Sequence, residues 1–116
     1  MNELPSSGWL EQLRFFTGRR RVVEVVNESM LPVMRPGDTL LYNPRAYRER
    51  RPTVGDLVVL QHPLRPGMRI VKRISAVLPT GELEVRGENV ARSDDSRHFG
   101  PVSPTTLSGR ITSRLP

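Results

Sequence analysis

The stretch Arg69-Ile70-Val71-Lys72-Arg73-Ile74-Ser75 decides how this chain folds. Its β-branched residues favour a strand, and successive side chains of a strand point to opposite faces. One face then carries Ile70, Lys72 and Ile74, and the other carries the two arginines with Val71 and Ser75. Because the isoleucines must face the interior, the pattern predicts that the amine of Lys72 is buried with them.

Lys72 is also the only lysine of the chain, since the other 17 of the 18 Lys+Arg residues are arginine. An arginine side chain stays protonated in proteins, whereas burial lowers the pKa of a lysine enough for it to act as a base. The pattern therefore makes Lys72 a candidate general base. On strand periodicity alone, an ordinary lysine that extends its amine to water is the alternative.

Further strands are predicted on both sides of this one. Runs rich in Val, Ile, Leu and Thr occur at Val22–Val26, Thr39–Tyr42, Asp56–Gln61, Met68–Ala76, Glu82–Arg86 and Leu107–Arg114. Pro and Gly separate them, and Pro79-Thr80-Gly81 is typical of a tight hairpin turn. The sequence thus predicts a mostly β fold, with a single antiparallel, barrel-like domain over residues 21–116.

Residues 1–20 are predicted to form an N-terminal helical extension. Trp9, Leu10, Leu13 and Phe16 recur at helical spacing, and Gly18 is a stop signal. We expect this apolar stripe to pack on the β domain. Contact with a membrane surface or with a partner is the alternative.

Composition limits the classes of function. The chain has 116 residues, no cysteine and a net charge of +6, so it forms one domain without disulfides or thiolate chemistry. Arginine clusters allow a nucleic-acid surface, but no aromatic residue lies among them to stack on bases. No apolar run approaches the ~20 residues that span a bilayer, and no signal peptide is evident. We therefore expect a cytoplasmic protein without a transmembrane segment, compatible at most with peripheral membrane contact.

A base requires a group to deprotonate, and Ser29 has suitable surroundings. It lies in Asn27-Glu28-Ser29-Met30-Leu31-Pro32, where a predicted strand passes into a loop. A serine hydroxyl becomes a nucleophile when a neighbouring base takes its proton, and a Ser–Lys pair is one known arrangement. A mechanism based on His62 or His98 is less favoured, because Ser29 lacks the Gly-x-Ser-x-Gly elbow.

Four segments together resemble the sequence boxes of signal peptidase I-type serine proteases. They are Ser29-Met30-Leu31-Pro32 with Gly37-Asp38, then Gly55-Asp56-Leu57-Val58-Val59-Leu60, then Val71-Lys72-Arg73-Ile74, and last Gly87-Glu88-Asn89 with residues 93–102. The resemblance covers roughly residues 22–110, with the boxes in the family's order. It implies a β domain of the signal peptidase catalytic-core type.

The resemblance also implies a role for each matching residue. Ser29 would be the nucleophile and Lys72 the general base. The backbone N–H of Ser29 would form half of the oxyanion hole, and Asn27 stands where many relatives have a serine that supplies the other donor. The hydroxyl of Ser93 would orient the lysine amine. Asp95 and Arg97 would form a structural pair near the site, and Met30 is a candidate substrate contact. The implied substrate is a protein precursor bound as an extended strand, with no metal or cofactor required.

The small size and the missing membrane anchor make the chain most similar to the soluble nickel-type superoxide dismutase maturation proteases. That similarity implies removal of an N-terminal propeptide. Signal peptidase-like processing of another precursor is one alternative, and a non-catalytic basic β-barrel module that binds nucleic acid is another. A self-cleaving repressor-type protease is disfavoured, because only 28 residues precede Ser29.

Overall fold

The computed structural model describes residues 4–26, 29–89 and 95–115. The described chain contains three short α-helices, one 3-10 helix and six strands. In chain order these are α1 (Trp9–Phe16), β1 (Arg21–Glu24), β2 (Thr39–Asn43), α2 (Ala46–Glu49), β3 (Leu57–Gln61), β4 (Arg69–Val77), β5 (Leu83–Arg86), α3 (Ser96–Phe99), the 3-10 helix (Pro104–Thr106) and β6 (Leu107–Arg114).

The six strands form one antiparallel sheet in the order β1-β2-β6-β3-β4-β5. The predicted mostly β, antiparallel fold with a short N-terminal helix is thus confirmed, and each predicted strand is present to within two residues at either end. The sheet stays open, with β1 and β5 at its edges. Register shifts in three of the strand pairs bend it without closing a barrel.

The sheet carries a hydrophobic core on each face. The central strand β3 alternates between them, since Leu57 and Val59 belong to one core and Val58 and Leu60 to the other. The first core also holds Met30 and its neighbours from the loop after β1, and the second core holds residues of β4 and β5. Burial on both sides explains why β3 reads as a continuous apolar run.

The turn at Pro79-Thr80-Gly81 joins β4 to β5 as predicted. The N–H of Gly81 donates to the carbonyl of Leu78, and the N–H of Leu78 donates to the carbonyl of Glu82 at 2.8 Å. Gly81 has a φ of 90°, a conformation that glycine adopts without strain. The turn therefore brings β5 back to pair with β4, the long strand that carries Lys72.

The N-terminal segment is tied to β6 by polar contacts. Leu4 is buried in the first core, and the N–H of Ser7 donates to the carbonyl of Arg114 at 2.7 Å. The carboxylate of Glu11 accepts hydrogen bonds from Thr112 and Ser113 of β6. The expectation that the apolar stripe of α1 packs on the domain is wrong, because Trp9, Leu10, Leu13 and Phe16 are all exposed. The helix is held by its polar side instead.

Gly109 in β6 lets two strands approach closely, and this yields a prediction about stability. A Cβ at this position would lie 2.4 Å from the carbonyl oxygen of Asn43 and 2.8 Å from Cδ2 of Tyr42. We expect Gly109→Ala to lower the free energy of unfolding by about 3 kcal/mol, because the backbone of β2 must move. Urea unfolding of the variant and the parent protein measures the difference.

The matched control is Gly8→Ala, since a Cβ at Gly8 meets no atom within 4 Å. That variant should change the free energy of unfolding by less than about 1 kcal/mol. Equal stability of the two alanine variants would show that β2 and β6 do not approach as closely as described.

Candidate active site

Lys72 lies on β4 with its side chain buried, and it is 2% exposed. Its neighbours along the same face, Ile70 and Ile74, are buried too, whereas Arg69 and Ser75 are exposed. Across the sheet Lys72 pairs with Val58 of β3, which belongs to the same apolar core as the two isoleucines. The predicted period-2 burial of β4 is therefore confirmed, and it places the side chain of Lys72 beside apolar residues.

Ser29 lies in the loop between β1 and β2 and is 4% exposed. Two backbone hydrogen bonds close the base of this loop, from Val25 N–H to the carbonyl of Asp38 and from Gly37 N–H to the carbonyl of Val25. Just after Ser29, Met30 and Met34 are buried in the first core. The loop is thus closed at its base, and the residues that follow Ser29 are anchored by their own apolar side chains.

A three-residue segment, Gly87-Glu88-Asn89, connects the two candidates. The N–H of Asn89 donates to the carbonyl of Ser29 at 2.8 Å. Glu88 forms an ion pair with the Nε of Arg73, the residue next to Lys72. The loop of Ser29 and the strand of Lys72 are therefore both held against one short segment of the chain.

Asp95 holds Gly87, the first residue of this segment. It is fully buried, and its Oδ2 accepts a hydrogen bond from the N–H of Gly87 at 3.0 Å. The guanidinium of Arg97 donates to both carboxylate oxygens, from Nε at 2.9 Å and from Nη2 at 2.6 Å. Asp95 also caps the N-terminus of α3 by accepting from the N–H of Arg97. A bidentate pair of this kind orients its partners as well as attracting them.

Asp56 and the preceding glycine brace β4 from the other side. Gly55 has a φ of 96°, and its carbonyl accepts a hydrogen bond from Nη1 of Arg73 at 2.8 Å. The Asp56 carboxylate accepts from Tyr47, Thr53 and Arg50. Burial alone would raise the pKa of Asp56, but the hydrogen bonds from Tyr47 and Thr53 and the charge of Arg50 lower it below its ordinary 3.8. The turn-forming role of Gly55-Asp56 thus stabilises the strand that bears Lys72.

Several of the predicted site residues are placed differently or not at all. Asn27 and Ser93, the expected second oxyanion donor and lysine-orienting hydroxyl, lie outside the described residues. Met30 is 1% exposed and packs in the core, so the role evident for it is packing, and its substrate contact stays a prediction. The ring of His62 is buried, accepts the N–H of Leu64 at Nδ1 and stacks edge-on against Phe99.

Three residues that connect the candidates lie in the quoted boxes, but the sequence predicted no role for them. They are Arg73, Glu88 and Asn89, which link β4 to the loop of Ser29. The signal that could have found them is charge on alternating positions. Arg73 points to the face opposite Lys72, and an acidic residue was needed to satisfy it within the sheet. Among the described residues, no group of three His, Cys, Asp or Glu side chains could hold a metal ion.

A cavity of about 690 Å³ lies away from Ser29 and Lys72. It opens between α2 and the β4–β5 turn, and its walls include Tyr47, Leu78 and Leu107. Neither Ser29 nor Lys72 lines it. Cavity size alone therefore does not locate the candidate site.

Comparison with known proteins decides the family. The model of the family described as signal peptidase, peptidase S26, matches residues 13–78 and 75–115. The chain belongs to this family. Both segments that contain the candidates described above, the loop of Ser29 and the strand of Lys72, fall within the matched residues.

The chain is also similar to individual proteins that are named as mitochondrial inner membrane proteases. The chain is 30% identical to mitochondrial ATP-independent inner membrane protease subunit 1b of Arabidopsis thaliana, over 75% of this chain and 64% of that protein. It is 31% identical to mitochondrial inner membrane protease subunit 2 of Mus musculus, over 78% of this chain and 64% of the relative. It is also 31% identical to subunit 1 of Xenopus tropicalis, over 81% and 68%. The chain thus spans a little under two thirds of the length of the first two of these relatives.

The relatives correct one expectation. A cytoplasmic location was predicted from composition, and this prediction is wrong, because the similar proteins are proteases of the mitochondrial inner membrane. Composition could not detect the error, since an apolar span is only one of several ways to work at a membrane. No helix among the described residues has the length and apolar character needed to cross a bilayer.

The Asp56 cluster predicts how stability depends on pH. Because the pKa of Asp56 is lowered by folding, its contribution is fully present above its ordinary value of 3.8 and is lost as pH falls through the folded value. We expect Asp56→Asn to lower the free energy of unfolding at neutral pH by about 2 kcal/mol, because the variant loses charge-assisted hydrogen bonds. Below the folded pKa of Asp56 the two proteins should converge in stability.

Urea unfolding at a series of pH values from neutral to acid measures this effect, and Glu24→Gln, at an exposed position of β1, serves as the control. The control should follow the parent protein across the series. A constant difference between Asp56→Asn and the parent at every pH would contradict an ionised Asp56 as the cause.

Proposed function

We propose that this chain is a serine endopeptidase that cleaves a protein precursor with a Ser29–Lys72 dyad, carried by residues 21–116 with residues 1–20 as an N-terminal extension. The observation that carries the proposal is the burial of the only lysine, at 2% exposure between two isoleucines, in a chain of the S26 family. Removing a charged amine from water costs several kcal/mol, so burial favours the neutral form of Lys72. A neutral amine is what a general base requires.

In the proposed reaction, Lys72 removes the hydroxyl proton of Ser29 as Oγ attacks the carbonyl carbon of the scissile bond. The tetrahedral intermediate collapses to an acyl-enzyme, and Lys72 passes the proton to the departing amine. The neutral amine then takes a proton from water, which attacks the ester and releases Ser29. As the carboxylic acid product leaves, Lys72 returns that proton to Oγ of Ser29, so both groups end in their starting protonation states and the balance closes without a cofactor.

The oxyanion that develops on the substrate would be stabilised by the backbone N–H of Ser29 and by the side-chain amide of Asn27. Preorganised donors of this kind typically contribute about 3 kcal/mol each. Ser93 would hold the amine of Lys72 in line with Ser29. The Asp95–Arg97 pair would act further out, by fixing Gly87 and hence the segment that contacts the loop of Ser29.

The substrate would bind as an extended strand. β1 is an edge strand, and the chain continues from it directly into the loop of Ser29. A peptide added along that edge would exchange backbone hydrogen bonds with β1 and bring a scissile bond toward the hydroxyl. Such a peptide would also cover the site and exclude water from the amine.

The identity of the precursor divides into two hypotheses. The narrower one is propeptide removal from nickel-type superoxide dismutase, which derives from the small size of the chain. The relatives are named as mitochondrial inner membrane proteases, so they support precursor processing in general rather than this substrate. Signal peptidase-like cleavage of another precursor agrees with them better. The family match does not favour the nucleic-acid-binding alternative.

The dyad predicts two inactive but folded variants. Ser29→Ala removes the nucleophile, and Lys72→Arg keeps a positive charge that cannot act as a base. Each should lower precursor cleavage by at least about a thousandfold. The assay incubates the protein with a nickel superoxide dismutase precursor and, separately, with a precursor that carries a signal peptide, and mass spectrometry reads the new N-terminus.

Ser75→Ala is the matched control for this assay, because Ser75 is an exposed serine on the strand of Lys72. It should cleave as the parent does. Far-ultraviolet circular dichroism verifies that each variant is folded. Parent-like cleavage by folded Lys72→Arg would overturn the dyad, while cleavage of only one of the two precursors would choose between the substrate hypotheses.

The proposal also predicts that Lys72 titrates below an ordinary lysine, whose pKa is near ~10.4. Protein grown with ¹³C-labelled lysine gives a single Cε signal, because the chain has one lysine. We expect the chemical shift of that signal to titrate at a lower pH in the folded protein than in urea, because burial disfavours the charged amine. Coincident titrations in the two states would exclude a base that is neutral before substrate binds.

A further inference from the structure

Helix α1 is amphipathic, but its apolar face is turned away from the protein. At about 100° per residue, Trp9, Leu10, Leu13 and Phe16 fall within an arc of about 120°. Trp9 is 76% exposed and Phe16 is 81% exposed, and Leu10 and Leu13 are exposed as well. A surface helix usually buries such a stripe and exposes the opposite side. Two questions follow for α1: which contacts hold its apolar stripe outward, and which apolar surface covers that stripe.

The cause is the polar face, which is fastened to β6. The carboxylate of Glu11 accepts hydrogen bonds from Thr112 and Ser113 and forms ion pairs with Arg14 and Arg20. Burial alone would raise the pKa of Glu11, but these hydrogen bonds and charges lower it, so the carboxylate is ionised at neutral pH. The helix therefore cannot roll its apolar side inward without breaking this cluster.

Next to the end of α1 lies a cavity of about 320 Å³ whose walls are formed by arginines. It is lined by Arg19, Arg20, Asn43, Arg45 and Arg48. The pairing of Arg21 with Tyr42 sets this arrangement, because it brings the connection between α1 and β1 beside the connection between β2 and α2. Arg19 is only three residues beyond Phe16, at most about 11 Å along the chain. The cationic cavity therefore begins close to the C-terminal end of the apolar stripe, and Arg20 in its wall is paired with Glu11.

We propose that α1 and this arginine cavity together form a docking surface for an anionic phospholipid bilayer. The apolar stripe enters the region of the acyl chains, and the exposed Arg19, Arg45 and Arg48 receive the phosphate groups that lie just outside it. A bilayer offers these two chemistries in adjacent layers, which matches a helix flanked by cations. A second copy of this chain would instead bring a net charge of +6 against a like charge.

The only tryptophan of the chain, Trp9, lies within the stripe and reports on its surroundings. The full chain is mixed with vesicles of equal parts phosphatidylcholine and phosphatidylglycerol, and with vesicles of phosphatidylcholine alone. We expect the Trp9 emission to shift to shorter wavelength with the anionic vesicles, and brominated lipid to quench it. Neutral vesicles should produce a much weaker response, and added salt should weaken binding to the anionic ones.

Two double variants separate the contribution of the apolar stripe from that of the arginines, and both keep Trp9 as the reporter. Leu13→Ala with Phe16→Ala should lower vesicle affinity at least about tenfold through lost apolar contact. Arg45→Gln with Arg48→Gln should lower it about twentyfold or more, at roughly fivefold per cation, and should reduce the salt dependence. The matched control is Leu64→Ala with Arg65→Gln, an exposed pair outside the docking surface, which should bind as the parent does.

Circular dichroism and thermal melting verify that the variants are folded. Three results would overturn the proposal. The first is an emission shift that needs no anionic lipid, and the second is a shift that appears with protein concentration in the absence of vesicles, which would indicate a second copy as the occupant. The third is binding that soluble glycerol phosphate abolishes, which would assign the arginine cavity to a free phosphate.

Discussion

The register between β3 and β4 determines which face of the sheet Lys72 lies on. Five consecutive pairs, from Leu57 with Arg73 to Gln61 with Arg69, fix it, and backbone hydrogen bonds at Asp56 and His62 extend the ladder at both ends. A slip of one residue would turn Lys72 to the opposite face and bury Arg73 in its place. Arginine cannot lose its proton, so the proposed dyad depends on this register for its base.

The constraint is strict because both faces of β3 are buried. A strand with one solvent-exposed face can accommodate a polar residue after a register shift. β3 instead has apolar surroundings on each side. Arg73 is accommodated only because Glu88 and the carbonyl of Gly55 satisfy its guanidinium. Glu88, which pairs with Arg73, also belongs to the segment whose Asn89 N–H donates to the carbonyl of Ser29. Structural and chemical requirements are therefore met by the same residues.

Local patterns predicted the elements well, and long-range contacts less so. The alternation over residues 69–75 and the Pro-Gly turns predicted the six strands and the burial of Lys72, because period and turn chemistry are local properties. The orientation of α1 could not be predicted in this way. A stripe at helical spacing indicates which side of a helix is apolar, but the contacts of Glu11 with Thr112 and Ser113 span about a hundred residues and decide which side faces the protein. The bends of the sheet likewise come from register shifts that no local run of residues predicts.

The fastening of α1 by its polar side has a geometric consequence. Because Glu11 ties the helix to the sheet, the domain would stand at a fixed height and orientation on any bilayer that receives the apolar stripe. Its longest dimension is 37 Å, which an extended chain covers in about 11 residues. The size of the domain would then limit how far the cleavable bond of a membrane-held precursor could lie from the lipid surface.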